Sequence, residues 1–393
     1  MVDVIVAGKN NIAVDILSEL IERNDVERIY VIFNGNDNGK NSFQRSFKKY
    51  CESLNVTQIT LEEAETIEDA VFLSLEFDKI VKPQNFKSKR LFNIHFSLLP
   101  KYKGMYTSAW PILNHEKETG VTLHEIDAGI DTGRILSQEA ISIEDNDTAK
   151  DLYLKYIKYG TDLVSRNLDG ILNDQFTSAM QTSENSTYFS KVSLDYSNVE
   201  IELRDTAFNI KKKIQAFTFR DFQLVKVKGY SVFGAEILKV PSMKKPGETL
   251  NETVNYIDVA TIDFDLRIYK DTFSTLLDAC EKSDMDTFLK ASNDFNILEK
   301  NEYGWSPIIV AAYNGSLNIV KALMEMGASV NDTNNNGTSV LMYAKDYTWK
   351  SKDTSLFDYL LSKGADINHR DYSGKKLIDY LNEPQKKFFK LKD

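Results

Sequence analysis

Three polar residues near the first third of the chain have the types and spacing needed for proton transfer and charge stabilisation at one place. Asn93 and His95 stand two apart in an apolar run. On a strand, residues two apart face the same side, so an amide N–H and an imidazole N–H can both point at an oxygen that becomes negative. Asp131 follows on a loop and can hold His95 protonated or accept a proton. Gly129 and Gly133 suit a tight backbone around this aspartate.

The elements that must position these residues alternate between apolar strands and amphipathic helical segments. The predicted strands are Asp3–Gly8, Arg28–Asn34, Asp69–Phe77 and Arg90–Ser97, and the predicted helices are Ala13–Arg23, Phe43–Leu54 and Asp147–Leu172. Gly120–Asp127 and Arg134–Ile143 are predicted to form an added strand pair. This order predicts a doubly wound α/β sheet, whose ligands bind at the carboxyl ends of the strands.

The pattern changes after residue 182. Residues 183–268 alternate in short strands around the turn-rich segment Pro241–Glu248, with one helix near Asp205–Phe217. This predicts a small β-rich domain.

The remaining residues, 269–393, carry an internal repeat. The turn glycines at 304, 337 and 374 lie 33 and then 37 residues apart. The segment Asn301–Asn331 resembles an ankyrin repeat, and 33 is the ankyrin period, so the second spacing implies a four-residue insertion near Thr348–Asp353. We predict three domains with boundaries at 182 and 268, the last an all-α ankyrin segment. The chain has no Gly/Ser-rich or Pro-rich spacer between Tyr256 and Thr275, so this segment is expected to pack rather than swing.

Composition narrows the function classes. The 48 basic and 58 acidic residues give a net charge of −10, which disfavours a large nucleic-acid surface. The N-terminus begins directly as a strand and no run of 18 apolar residues occurs, so neither a secretory signal nor a membrane span is expected. Two distant cysteines and four histidines predict a reduced, cytoplasmic protein without a metal site.

Four motifs in Asn93–Leu136 occur together and in order: Asn-x-His, Ser-Leu-Leu-Pro, Thr-Gly-x-Thr and Asp-x-Gly-x-Asp-Thr-Gly. With them the chain, from Met1 to about Asp265, resembles the formyltetrahydrofolate-dependent transferases, which act on glycinamide ribonucleotide, methionyl-tRNA or nucleotide-linked aminosugars. The resemblance implies a Rossmann-like catalytic domain, N10-formyltetrahydrofolate as cofactor, and catalysis by the Asn, His and Asp named above. His115 and His124 match no catalytic position of the family and are expected to be structural.

The resemblance also implies binding residues. In this family the folate lies against the loop after the fourth strand, which here comprises Leu75, Glu76, Phe77, Asp78, Lys79 and Ile80. Sugar N-formyltransferases of the dTDP type place aromatic residues against the thymine. On that basis, and from their positions after strands, the expected substrate-binding residues are Lys9, Asn10, Met105, Tyr106, Phe219, Arg220 and Phe222.

The acceptor implied by resemblance to ankyrin-bearing enzymes of this type is dTDP-3-amino-3,6-dideoxyglucose, with a product used in lipopolysaccharide O-antigen synthesis. The sequence does not separate this sugar from its 4-amino isomer, and it does not fix the nucleobase. Methionyl-tRNA or glycinamide ribonucleotide formylation, and a non-catalytic ankyrin binding protein, are the alternatives from other classes. The negative net charge, and a C-terminal part that is not the basic domain typical of methionyl-tRNA formyltransferases, weigh against tRNA as the acceptor.

The ankyrin segment has two candidate partners. Ankyrin repeats usually bind proteins. The other hypothesis is a planar small ligand, with a second nucleotide sugar as the obvious candidate, stacked at Trp305, Tyr303, Tyr313 and Tyr347. A homodimer is left open.

Overall fold

The computed structural model describes residues 1–197 and 199–391. The chain folds into two compact units, Met1–Ile201 with Asn209–Val225, and Glu202–Phe208 with Lys226–Asp393. The boundaries at 182 and 268 stay a prediction. In the described residues, no helix combines the length and the apolar character that crossing a bilayer requires.

The first unit is built on a twisted sheet flanked by helices. Its strands are β1 (Val2–Gly8), β2 (Val26–Phe33), β3 (Thr57–Gln58), β4 (Val71–Leu75), β5 (Arg90–His95), β6 (Lys103–Gly104), β7 (Glu118–Glu125), β8 (Ile135–Ser142) and β9 (Tyr188–Phe189). Its helices are α1 (Asn10–Ile21), α2 (Phe47–Ser53), α3 (Leu61–Thr66), α4 (Trp110–Leu113) and α5 (Ala149–Leu172). Helix α6 (Ala207–Phe217) belongs to this unit from Asn209 onward. A 3-10 turn spans Pro83–Asn85.

Seven of these strands form the main sheet in the order β3-β2-β1-β4-β5-β7-β8. The first five in this order are parallel to one another, whereas β7 runs antiparallel to both β5 and β8. Every residue of β4 is buried, as expected for a parallel strand covered on both faces. The predicted α/β fold, including the added strand pair, is confirmed.

Helix ends in this unit follow local capping chemistry. The predicted helix Phe43–Leu54 starts later, at Phe47, because the Ser46 hydroxyl accepts the backbone N–H of Lys49 at 3.0 Å. An N-cap side chain of this kind satisfies an otherwise unpaired helix donor. The shortened helix leaves Phe43 outside it, beside the cavity described below.

The second unit joins a small sheet to a helical array. The sheet has the order β10-β11-β14-β13-β12. Its strands are β10 (Val225–Val227), β11 (Tyr230–Pro241), β12 (Thr249–Glu252), β13 (Tyr256–Val259) and β14 (Phe264–Lys270). The helices are α7 (Phe273–Lys282), α8 (Met285–Ala291), α9 (Pro307–Tyr313), α10 (Leu317–Glu325), α11 (Val340–Ser351), α12 (Ser355–Ser362) and α13 (Glu383–Phe389), with a 3-10 turn at Leu377–Tyr380.

The array has the helix pairs expected of ankyrin repeats. Where α9 has 7 residues, the corresponding α11 has 12, so the extra residues near Thr348–Asp353 lengthen this helix. Sheet and array share contacts within this unit: Phe295 lies 4.9 Å from Tyr269, ring centre to ring centre, and Asn293 Nδ2 donates to Asn255 Oδ1 at 2.7 Å.

Candidate active site

Strand β5 carries Asn93 and His95 to the carboxyl edge of the main sheet. Its neighbours are β4, where Ser74 pairs with Asn93, and β7, where His124 pairs with Asn93. Ser74 Oγ donates to Asn93 Oδ1 at 2.7 Å. Asn93 Nδ2 lies 3.0 Å from His124 Nε2. The amide is therefore held from both sides, with its N–H₂ group directed toward β7.

The tautomer of His124 follows from its second contact. His124 Nδ1 lies 2.7 Å from the carbonyl oxygen of Glu125, which can only accept, so Nδ1 carries the proton. Nε2 is then the acceptor for one N–H of Asn93. Burial lowers the pKa of His124 to about 4, so this ring is neutral near pH 7 and leaves the second N–H of the Asn93 amide available to another acceptor.

His95 and Asp131 form the charged part of the site. His95 Nε2 lies 2.8 Å from the Tyr102 carbonyl oxygen and therefore donates to it. Its Nδ1 faces Asp131 Oδ1 at 3.4 Å. Because Nε2 already carries a hydrogen, the contact between Nδ1 and the carboxylate is favourable only when one further proton lies between them. The pair is thus arranged to hold or release one proton.

The backbone around Asp131 fixes that carboxylate. Gly104 N donates to Asp131 Oδ2 at 2.8 Å. Gln181 Nε2 donates to the carbonyl oxygens of Asp131 and Gly133 at 2.9 and 2.8 Å. The Asp131 side chain is 13% exposed and is therefore largely shielded from bulk water.

His124 is the residue of this cluster that sequence reasoning missed. It was expected to be structural, yet it contacts Asn93, and its Nε2 lies 3.8 Å from Asp131 Oδ1. A signal for it existed: an ionisable side chain in the middle of an apolar strand that leads directly into the loop of Asp131. Buried polar groups of this kind need a partner.

A cavity of about 790 Å³ opens beside this cluster in the first unit. Its wall includes Phe96, which follows His95 in sequence, and Met105, which follows Gly104, whereas Asn93, His95 and Asp131 are not part of the wall. Of the predicted substrate-binding residues, six lie on its wall: Lys9, Asn10, Met105, Tyr106, Phe219 and Phe222. Arg220 is adjacent to them in sequence but is not part of the wall.

Aromatic rings from separate segments cluster at one part of the cavity wall, which we call the aromatic end. Phe43 lies 5.6 Å from Phe219 and 5.9 Å from Phe222, ring centre to ring centre. Phe219 is 6% exposed and supports the wall, whereas Phe222 is 68% exposed and presents its ring. Sequence reasoning missed Phe43, and also Tyr153 and Tyr196, which line the same cavity.

The predicted cofactor loop divides into three kinds of residue. Leu75 is 1% exposed and packs in the core, so its side chain does not face a ligand. The Glu76 side chain faces the cavity just described, and Phe77 packs against Phe72. Asp78, Lys79 and Ile80 are exposed, Ile80 by 72%.

In the ankyrin array, three rings meet. Trp305 lies 5.8 Å from Tyr313 and 5.4 Å from Tyr343, and the two tyrosines lie 6.0 Å apart. Tyr303 is 65% exposed, and Tyr347 covers the turn that follows α9. The structure thus brings two of the four predicted residues together and adds Tyr343.

Comparison with known proteins agrees with this organisation. Residues 4–168 match the family described as formyl transferase, and residues 276–371 match ankyrin repeats (3 copies). A curated relative, the methionyl-tRNA formyltransferase of Caldanaerobacter subterraneus subsp. tengcongensis, is 28% identical over 206 residues, 51% of this chain. The chain spans 65% of the length of this relative and 32% of another, longer curated one.

Two solved structures are more similar. One is WlaRD, a sugar 3N-formyl transferase determined in the presence of dTDP and 5-N-formyl-THF; it is 42% identical, with a TM-score of 0.64, and the match covers 69% of this chain and 98% of WlaRD. The other is the N-formyltransferase from Helicobacter canadensis in complex with folinic acid and dTDP-3-aminofucose, which is 40% identical, with a TM-score of 0.64, over 69% of this chain and 100% of that one. The chain therefore belongs to the formyltransferase family and consists of a formyltransferase domain followed by ankyrin repeats.

Proposed function

We propose that this protein transfers a formyl group from N10-formyltetrahydrofolate to the amino group of a dTDP-linked amino-dideoxyhexose, namely dTDP-3-amino-3,6-dideoxyglucose. The observation that carries the proposal is the Asn93, His95 and Asp131 cluster, whose sequence neighbours Phe96 and Met105 line a cavity with aromatic and basic walls. The 3-amino position rests on the two solved structures that are 42% and 40% identical to this chain. The first is described as a sugar 3N-formyl transferase, and the second is a complex with dTDP-3-aminofucose.

The residues at the sheet edge fit an acyl transfer to an amine. The bound folate supplies the formyl carbon. As the amine nitrogen bonds to that carbon, negative charge grows on the formyl oxygen, and the second N–H of Asn93 can donate to it. The proton lost by the amine passes to the Asp131 and His95 pair, and the same pair returns a proton to the departing folate nitrogen when its bond to the carbon breaks.

The cofactor loop fits a folate by its chemistry. Ile80 offers an exposed apolar side chain for a planar ring, and Lys79 offers positive charge for the carboxylates of the glutamate tail. Asn34 fixes the loop, because its Nδ2 donates to the Glu76 carbonyl oxygen at 2.7 Å and its Oδ1 accepts from Asp78 N at 3.3 Å. We assign the donor to this loop.

The cavity fits a nucleotide sugar along its length. Phe222 presents its ring at the end lined by Phe43 and Phe219, where a base can stack. Lys9 and Lys40 lie on the wall and can neutralise a diphosphate. With the base at the aromatic end and the amine near Asp131, the hexose lies between. The resemblance further supports a role for the product in O-antigen synthesis in the cytoplasm.

The acceptor is tested by incubating the pure protein with formyltetrahydrofolate and a panel of dTDP-aminosugars, with mass spectrometry of the products. We expect turnover with dTDP-3-amino-3,6-dideoxyglucose and no formylation of initiator methionyl-tRNA, because the aromatic cavity fits a base and the chain carries a net charge of −10. Faster turnover of the 4-amino isomer would show that the acceptor is the 4-amino sugar and not the 3-amino sugar. Formylation of tRNA alone would contradict the proposal.

For the ankyrin array we propose a second nucleotide-sugar site at Trp305, Tyr313 and Tyr343. Three rings lie within 6.0 Å of one another, centre to centre, and a base can stack on one of them. A ligand there regulates turnover only if it binds two states of the enzyme with different affinities.

The second site makes a kinetic prediction. Rates plotted against sugar concentration are expected to deviate from a hyperbola, and Trp305→Ala is expected to restore a hyperbola with kcat preserved. Trp349→Ala, which changes another tryptophan of the same array, is the control and is expected to leave the curve unchanged. Calorimetry that finds one nucleotide sugar per chain would leave the array as a protein-binding or stabilising segment.

A further inference from the structure

A hydrogen-bonded trio lies on the cavity wall and is not used in the transfer chemistry above. Asn10 Nδ2 donates to Glu76 Oε2 at 2.9 Å and to the Tyr153 hydroxyl oxygen at 2.8 Å, and Tyr153 Oη donates to Glu76 Oε1 at 2.8 Å. All three residues line the cavity. Asn10 and Glu76 both adopt left-handed backbone angles, with φ of 65° and 60°, which cost energy outside glycine and often occur at ligand sites.

Within the trio, Tyr153 contacts both Phe96 and the aromatic residues Phe43 and Phe219 of the cavity wall. The ring centre of Tyr153 lies 6.1 Å from that of Phe96, which follows His95. It lies 5.6 Å from the ring centre of Phe219 and 6.1 Å from that of Phe43, at the aromatic end. Glu76 follows Ser74 by two residues, and Ser74 holds Asn93. A nucleotide sugar placed as proposed has its hexose ring at this position.

The hydrogens of the trio are already used within it. The two amide hydrogens of Asn10 go to Glu76 and Tyr153, and the single hydroxyl hydrogen of Tyr153 goes to Glu76. Neither residue has a hydrogen left for a ligand. A carboxylate accepts about four hydrogen bonds, so Glu76 still has lone pairs for a donor in the cavity. The ligand group that meets Glu76 must therefore bring a hydrogen.

Two parts of the nucleotide sugar, the diphosphate and the reacting amine, are excluded as the group that meets Glu76. A diphosphate brings no hydrogen and is repelled by a carboxylate, and Lys9 and Lys40 are the groups on the wall assigned to it above. The reacting amine belongs near Asp131 and His95. Burial raises the pKa of Glu76, but Lys9 and the hydrogen bonds from Asn10 and Tyr153 favour its charged, accepting form. In a site shielded from water, a direct hydrogen bond from a ligand to this carboxylate is worth more.

We propose that Glu76 determines sugar specificity by accepting a hydrogen bond from a ring hydroxyl next to the amine-bearing carbon, with Asn10 and Tyr153 as its positioning residues. The inference rests on the proposed function. For a 3-amino sugar the hydroxyl is one of the two that flank the amine, at C2 or C4. Glu76 would then belong to the acceptor site, although its loop was predicted from the sequence to bind folate.

The test combines an enzyme variant with acceptor analogues. Glu76→Met keeps the length of the side chain but removes both acceptor oxygens, while Asn10 and Tyr153 can still bond to each other. We expect kcat/KM for the complete sugar to fall about 10- to 100-fold, the range for a hydrogen bond to a charged group. We expect Glu76→Gln, which keeps one acceptor, to recover part of this loss. On the 2-deoxy or the 4-deoxy analogue, whichever lacks the hydroxyl that Glu76 contacts, Glu76→Met should have little further effect.

The matched control is Glu19→Met. Glu19 also accepts a hydrogen bond from a hydroxyl between α1 and α5, at 2.6 Å from Ser165 Oγ, but it does not line the cavity. The Glu19→Met variant is expected to leave kcat/KM unchanged for the complete sugar and for both deoxy analogues. Equal losses for Glu76→Met on the complete sugar and on both analogues, or no loss on any, would overturn the inference. If the wild-type enzyme formylates no dTDP-aminosugar, the proposed function fails instead.

Discussion

Asp131→Asn is expected to lower kcat by about 10²-fold to 10⁴-fold, the usual contribution of a general acid or base. The asparagine can still accept the backbone N–H of Gly104, which the carboxylate accepts at 2.8 Å. Its Nδ2 can donate to His95 Nδ1, but an amide takes up and releases no proton during the reaction. The change therefore removes the proton carrier while keeping the shape of the loop, and KM values for both substrates are expected to change little. Steady-state rates with the acceptor found in the panel measure the loss.

Related variants separate the roles within the cluster. His95→Ala and Asn93→Ala are each expected to cost about 10²-fold or more in turnover. Losses in the double variants are expected to be less than additive, because the residues act as one unit. Asp169→Asn, on the exposed surface beside Arg23, is the control for loss of an aspartate. Near-normal turnover by His95→Ala on the correct sugar would show that the proton passes elsewhere.

The sequence predicted that Asn93, His95 and Asp131 come together because this information is local; their roles in catalysis stay a prediction. Asn93 and His95 are two residues apart on one strand, and this spacing alone places their side chains on the same side. Asp131 follows in a recognisable motif between two glycines. His124 escaped prediction because its contact with Asn93 depends on the antiparallel register of β7 against β5. Register is set by long-range packing and cannot be read from spacing within either strand.

The cavity was harder to predict for the same reason. Phe43, Tyr153 and Phe222 come from three distant segments, and no periodicity links them. The loop after β4 shows a different limit: the family resemblance points to the loop as a whole, but the structure sends Leu75 into the core and Glu76 toward the cavity. Side-chain direction within a loop depends on backbone angles. Glu76 has a positive φ, which a glutamate in the sequence does not indicate.

Gly133→Ala is expected to disable the enzyme without touching a reacting group. A β-carbon at this position would lie 1.7 Å from the carbonyl oxygen of Glu125 and 2.7 Å from its carbon, so backbone rather than a flexible side chain must move. Overpacking of this kind costs about 1–3 kcal/mol or more, and we expect the free energy of unfolding to fall by about 3 kcal/mol. Urea unfolding of the purified variant measures this loss.

The kinetic loss should exceed what the stability loss explains, because the displaced carbonyl lies at the start of the chain of contacts that orients the site. Glu125 O accepts from His124 Nδ1, and His124 Nε2 accepts from Asn93 Nδ2, so moving the carbonyl turns the amide away from the reacting oxygen. A displacement of about 1 Å can cost about 10²-fold in rate. We therefore expect kcat of the folded variant to fall about 10²-fold. Gly35→Ala is the control, since its added methyl group would meet its nearest atom at 3.9 Å, an ordinary contact. A Gly133→Ala enzyme that is destabilised but keeps wild-type kcat would show that the Glu125 and His124 contacts support the fold and do not orient Asn93.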